Sequence, residues 1–330
     1  MSVTVRPATL SDLDPLAELL LAGALDRSAR HPDLWQMPDA PGTAIRMALR
    51  QAMEADNPPF RQQYLLAEAD GRAVGAAHSI LLPVPPIYHS DNGMPGLVME
   101  DCHIDDTAPA GTRDILLRAV EADLIAAGAG NLLASDVTGG DWADSYARHG
   151  YAPVTLYLSR TGLRSTPGAT RPARAADVPA IVEASAAHRR MLHRLAPQFW
   201  KIHPEADARF GAWMTRSLTL EDRDMAVTEA EGMLTGYVVS QPATRLHFPA
   251  PHDIAGIGVV DDFYHEDFAD PDDPVTGGGT DALLRSAEAA RAGRGDSSVM
   301  VVCPAAWTAK RTLLERAGYA TAITWYFKPR

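Results

Sequence analysis

Lysine is almost missing from this chain. Only Lys201, Lys310 and Lys328 occur in 330 residues, and arginine carries nearly all the positive charge, a bias that a GC-rich genome produces. Basic residues are also outnumbered, 30 against 42 acidic ones, for a net charge of −12. That balance argues against a nucleic-acid partner, because phosphate backbones are held by clustered cations. Cysteine is as scarce: Cys102 and Cys303 stand at non-matching places in the chain. Two such thiols make no disulfide framework, and a cytoplasmic location is expected. No apolar run is long enough to span a bilayer. The opening Met1-Ser2-Val3-Thr4 lacks the basic and then apolar regions of a signal peptide. No metal-ligand spacing is present; the acidic run Glu266-Asp267, Asp270, Asp272-Asp273 lacks the calcium-loop pattern.

What the chain does have is said twice. Arg6-Pro7-Ala8, followed by Asp12-Leu13, returns as Arg171-Pro172-Ala173, followed by Asp177-Val178. Glu100-Asp101-Cys102-His103 returns as Asp261-Asp262-Phe263-Tyr264, and His149-Gly150-Tyr151 as Ala317-Gly318-Tyr319. The helix phrase Arg113-Asp114-Ile115-Leu116-Leu117-Arg118 returns as Thr280-Asp281-Ala282-Leu283-Leu284-Arg285. The order is kept, so the period describes two whole domains rather than a solenoid. Residues 1–160 and 170–330 are the expected domains, joined by a Gly/Ser/Thr/Pro-rich linker over 161–169.

Within each half the patterning alternates. A short strand (Val3–Arg6; Gly168–Arg171) precedes an amphipathic helix, with Ser11 as the expected N-cap of the first. A hairpin follows, turning at Asp70-Gly71 in one half and near Glu231-Gly232 in the other. Next come an acidic strand (98–104; 257–265), a glycine-bearing loop, a helix (109–127; 277–292), a buried strand (132–135; 299–303), a short helix, Gly-Tyr and a closing strand. The order predicts an α/β layer on a mixed sheet in each half.

A strand that ends in a glycine turn and enters a helix suits an anion, because the first turn carries unpaired N–H groups and partial positive charge. Ala110-Gly111-Thr112-Arg113-Asp114 and Gly277-Gly278-Gly279-Thr280 occupy that place. Neither loop is a Rossmann fingerprint or a Walker loop. Glu100 or Asp101, and Asp261 or Asp262, are candidate general bases, and neighbours on a strand face opposite sides.

Strand, acidic pair, short loop, Leu-Leu helix, strand, short helix and Gly-Tyr together resemble the GNAT superfamily of acyl-CoA-dependent N-acyltransferases. The resemblance covers nearly the whole chain and is similar to the tandem GNAT proteins of actinobacteria. It implies two GNAT domains, each a mixed, mostly antiparallel central sheet flanked by helices. It also implies that acetyl-CoA or another acyl-CoA lies along Cys102-His103-Ile104 or Phe263-Tyr264-His265, with its pyrophosphate at the glycine loops. The family loop Arg/Gln-x-x-Gly-x-Gly/Ala is incomplete in both halves, which offer Ala108, Gly111, Arg113 and Val275, Gly278, Thr280. The family acid, a tyrosine four residues before the glycine, is Tyr146 in the first half; its counterpart is Leu314. The basic and aromatic stretch Arg189-Arg190, His193, Arg194, Phe199, Trp200, His203 would line the acceptor pocket of the second half. The resemblance thus implies direct acyl transfer to a small-molecule amine, without metal, nucleic acid or membrane. CoA is expected in the first half most securely, and transfer slightly more in the second. The alternative is an acyl-CoA-binding regulatory or structural protein without turnover.

Overall fold

The computed structural model describes residues 2–90, 93–246 and 248–330. In the first half the elements are β1 (Val3–Pro7), α1 (Leu13–Arg30), α2 (Pro41–Glu54), β2 (Gln62–Ala69), β3 (Arg72–Leu81), β4 (Gly96–Val98), β5 (His103–Ile104), α3 (Thr112–Ala126), β6 (Leu132–Val137), α4 (Ala143–Arg148) and β7 (Ala152–Thr161). The second half repeats them as β8 (Arg171–Pro172), α5 (Val178–Leu195), α6 (Ala206–Ser217), β9 (Asp224–Ala230), β10 (Met233–Pro242), β11 (Ile257–His265), α7 (Gly279–Gly293), β12 (Ser298–Pro304), α8 (Thr308–Arg316) and β13 (Ala320–Lys328). The acidic strand is broken into β4 and β5 in the first half and runs unbroken as β11 in the second.

Local chemistry accounts for the joints. Both hairpins turn on a pair of positive-φ residues, Asp70 (51°) with Gly71 (77°) and Glu231 (52°) with Gly232 (79°), the twist that suits a tight two-residue connection. Ser11 is not the N-cap of α1. It lies inside a short 3-10 turn, and the Asp12 carboxylate instead accepts from the Thr9 backbone N–H at 2.8 Å and from the Arg6 guanidinium at 2.7 and 2.8 Å. Arg6 also reaches Glu68 on β2. Arg171, Asp177 and Glu229 rebuild the same brace in the second half. The repeated Arg-Pro-Ala…Asp phrase is thus an ionic clamp between strand, turn and hairpin.

All the strands join in one sheet of order β1-β2-β3-β4-β6-β13-β7-β12-β11-β10-β9-β8, with β5 paired to β3. Among the described residues only β4–β6 and β11–β12 are parallel pairs; the others are antiparallel. The closing strands are exchanged. β13, from the end of the chain, lies between β6 and β7, while β7 lies between β13 and β12. Each half therefore receives a strand from the other. A core of Leu97, Tyr157, Phe248, Val259, Met300 and Ile323 runs through the junction.

Candidate active site

Both acidic pairs sit where two parallel strands part. β4 pairs with β6 as far as Val98 and Ala134, after which β5 turns to β3 alone. β11 pairs with β12 as far as Val260 and Val301, and both strands then run on separately. Past the fork the backbone carbonyls need other donors. Trp142 Nε1 donates to the Cys102 carbonyl at 3.3 Å in the first half, and Lys310 Nζ donates to the Phe263 carbonyl at 2.9 Å in the second. Trp142 and Lys310 are equivalent, each eight residues ahead of the glycine of Gly-Tyr.

In the second half the fork opens into a cavity of about 460 Å³. Ile87, Tyr88, Leu192, Trp200, Phe210 and Trp213 give it apolar walls. Asp261 faces this space, and Gln241 Nε2 donates to its Oδ2 at 3.3 Å. Its carboxylate is open to the cavity but walled by protein elsewhere. That enclosure, followed by the adjacent Asp262, raises its pKa to about 6. Asp262 has the opposite environment. It contacts His188 Nδ1 at 2.9 Å and accepts from the Tyr237 hydroxyl at 2.7 Å. Burial would raise its pKa, but the hydrogen bond and charge of His188, with Tyr237, outweigh it and hold it low.

In the first half the equivalent space is filled. Trp35, Phe248 and His252 are fully buried there, with ring centroids 4.8 and 4.9 Å from that of Trp35. Phe248 and His252 come from the second half. Arg27 donates to His252 Nε2 at 3.2 Å and to the Glu100 carbonyl at 3.0 Å. Glu100 is enclosed, its carboxylate makes no salt bridge among the described residues, and burial, then Asp101, lifts its pKa to about 8 against a smaller opposing effect of Ser135. Asp101 pairs with His78 Nδ1 at 3.0 Å; burial pushes its pKa up, and His78 more than reverses that. Tyr146 is completely buried, donates to the Ser135 carbonyl at 3.5 Å, and has its pKa driven far up by burial. Cys102 is buried with Sγ 3.4 Å from the His78 amide, whereas His103 lies near Asp26, so the two side chains point apart and form no thiol–imidazole pair.

The expected phosphate loops differ in shape. Ala110 is exposed, Gly111 has φ +83°, Thr112 Oγ1 donates to the Pro109 carbonyl at 2.6 Å, and Arg113 stacks over Trp142 at 5.5 Å. Asp114 accepts from Ser145 at 2.9 Å and Arg148 at 3.1 Å. Ile104 packs close to Gly75. In the second half a Cβ on Gly279 would fall 2.1 Å from His265 Nε2, so the glycine admits the His265 ring against the first turn of α7. Gly277 lies as closely against Asp267, Gly278 is open, and Thr280 Oγ1 reaches the Gly277 carbonyl at 3.5 Å. Phe263 is buried in the core, and Tyr264 stacks on His188 at 5.4 Å.

The basic stretch on α5 splits by helical face. Arg189 is buried beside the cavity, tied to Ser185 and Asp207 at 2.5 Å each, while Arg190, His193 and Arg194 are exposed. Sequence reasoning missed Lys310, His188, Tyr237, Arg223 and the segment Pro83–Ser90, which crosses from the first half to line the cavity. Only Lys310 left a signal, its rarity.

No protein-family model matches the sequence, and no curated protein matches it. The architecture, a forked, mostly antiparallel sheet flanked by helices, is that of the GNAT fold. It is similar to a GCN5-related N-acetyltransferase from Sphaerobacter thermophilus, with a TM-score of 0.58 at 18% identity over 99% of this chain and 95% of that one. A tandem GNAT protein from the clavulanic acid biosynthesis pathway matches with a TM-score of 0.49 at 14% identity, covering 99% and 98% of the two chains. A GNAT-family acetyltransferase from Colwellia psychrerythraea matches at 0.48 and 10%, over 100% of each. Among the described residues no helix is long and apolar enough to cross a membrane.

Proposed function

We propose that this chain is an acyl-CoA-dependent acyltransferase that moves an acetyl or other acyl group directly to a small-molecule amine. On this reading residues 1–160 and 170–330 are two GNAT units joined by 161–169, and transfer takes place in the second. The supporting observation is Asp261, a carboxylate at the strand fork that opens into a largely apolar cavity and makes no salt bridge among the described residues. The residues fit an acyl-CoA there. The Phe263-Tyr264-His265 backbone lies beyond the last pairing with β12, and Gly278 leaves open space at the start of α7. The His265 ring has to move off Gly279 for a pyrophosphate to reach that turn. When bound, acyl-CoA supplies the activated acyl group.

This chain's own residues do the rest. Asp261 accepts a proton from the entering ammonium at a carboxylate oxygen, a role suited to a base with a pKa near neutrality. Asp262, held by His188 and Tyr237, is not free for that role and instead fixes the His188 ring. Leu314 replaces the tyrosine acid, and the proton donor at the fork is Lys310 Nζ. Burial lowers the Lys310 pKa, so it releases its proton more readily than an exposed lysine. The first half, with its fork filled by Trp142 and its equivalent space by Trp35, Phe248 and His252, acts as a structural partner.

Thiol release from acetyl-CoA across a panel of amines tests this. Turnover is expected to rise with pH as Asp261 ionises, with a midpoint near its pKa of about 6. Asp261→Asn should lower kcat by about 10²-fold or more, the usual worth of a positioned base. Equal thiol release by wild type and Asp261→Asn removes Asp261 from the mechanism. Binding of acetyl-CoA with no release for any amine returns the protein to the non-catalytic alternative.

A further inference from the structure

The cavity holds a second charged group that proton transfer does not use. Arg223 lines it, just before β9. Its guanidinium lies over the Trp213 ring at 5.5 Å, its Nη1 makes one long bond of 3.4 Å to Ser217 Oγ, and among the described residues its buried Nε has no hydrogen-bond partner and it makes no salt bridge with a carboxylate. The other cations at the cavity are occupied: Arg189 by Asp207 and Ser185, and Lys310 by the Phe263 carbonyl.

Arg223 and Asp261 both line the cavity, with Gln241 on the strand between them. Asp224 is opposite Ser240, so the register continues Arg223 onto Gln241, which is opposite Val259; the register then shifts at a bulge, with Ser240 facing Val260 and Val239 facing Asp262, and the extra residue is Asp261. Their strands, β9 and β11, are two spacings or about 10 Å apart. Gln241 between them already donates to Asp261. The long arginine side chain shortens that gap to the size of one small molecule. Most of the exposed wall is apolar.

We propose that the cavity binds an amino carboxylate with a large apolar or aromatic side chain, its ammonium at Asp261, its carboxylate at Arg223, and its side chain among Ile87, Tyr88, Trp200 and Phe210. This names the acceptor class of the site proposed above and rests on that reading for the transfer step, though not for binding. A planar guanidinium suits carboxylate recognition, because it offers paired donors. The apolar end is roofed by Pro83–Ser90 of the first half, so specificity for the side chain would be set across the two halves.

Calorimetric titration of the full chain without acyl-CoA tests the proposal, using L-phenylalanine, L-phenylalaninamide, phenethylamine and 3-phenylpropionate. L-phenylalanine is expected to bind at least about tenfold tighter than each of the others, the worth of one charge-assisted contact. Arg223→Gln should erase its advantage over phenethylamine while leaving phenethylamine affinity in place. Asp261→Asn should erase its advantage over 3-phenylpropionate. Ile87→Ala should weaken all four ligands and leave both advantages intact. Phenethylamine binding as tightly as L-phenylalanine, an unchanged ratio in Arg223→Gln, or no binding of any of the four overturns the proposal. The two readings fail separately. Tight L-phenylalanine binding without thiol release would sink only the transferase reading, and thiol release with other amines but no L-phenylalanine binding would sink only this one.

Discussion

Glu100 and Asp261 hold the same position in the repeat and meet opposite surroundings. Asp261 opens into a cavity with Gln241 as partner, whereas Glu100 is sealed and makes no salt bridge among the described residues. A buried carboxylate of this kind is a stability liability once ionised. Its folded-state pKa of about 8 lies above the ordinary 4.5, so between those values the folded protein keeps a proton that the unfolded chain has lost. Stability therefore falls as pH rises through that window. Glu100→Gln removes the ionisation. It should change Tm little near pH 5 and raise it at about pH 9, by on the order of 5 °C for a gain of a few kcal/mol. Thermal melts of wild type and variant at the two pH values check this; an equal shift at both would show that folding does not raise the Glu100 pKa. At this scale the sequence was legible in type but not in state. Acidic pairs at strand ends marked both forks. Which carboxylate is open depends on Trp35, Phe248 and His252, residues that carry no local pattern.

Elements were more legible, because their signals are local. Asp-Gly and Glu-Gly mark both hairpins, and the two amphipathic helices follow from their apolar spacing. The start of α1 was misplaced at Ser11, since the true brace joins Arg6, Asp12 and Glu68, and Glu68 is 62 residues from Arg6. Asp12 is the centre of that brace. Its side chain accepts from Arg6, from the Thr9 N–H and from Thr9 Oγ1, contacts that hold its pKa well below the ordinary carboxylate range against the opposing effect of burial. This stabilisation is complete above the unfolded value near 3.8 and is lost as pH falls below it. Asp12→Ala should cost about 1–2 kcal/mol, the usual worth of a capping side chain, with Asp177→Ala similar in the second half. Denaturant titrations at neutral pH and at about pH 3 measure it, and a cost that does not shrink in acid would rule out the ionic brace as its source.

The two halves are legible as a repeat, but their interleaving is not, because a strand's sequence does not name its neighbour. β7 and β13 read as the closing strands of their own halves, and each instead separates two strands of the sheet and completes the half it does not belong to. Pairing could not be told apart by pattern, since the two strands fill equivalent places with similar apolar alternation. The arrangement makes the second half depend on the first. Without it the second half loses β7, which pairs with β12 along seven residues, and also the Pro83–Ser90 wall of the cavity. An unpaired edge of that length is a site for aggregation. A chain cut between Ser165 and Thr166 tests this dependence. Each fragment expressed alone should aggregate or melt without cooperativity. The two expressed together should purify as a 1:1 complex with a single cooperative transition, because both missing strands are then supplied in trans. A monomeric, cooperatively melting fragment 166–330 would show that the second half closes its own sheet, and the first half would then have no structural hold on the cavity.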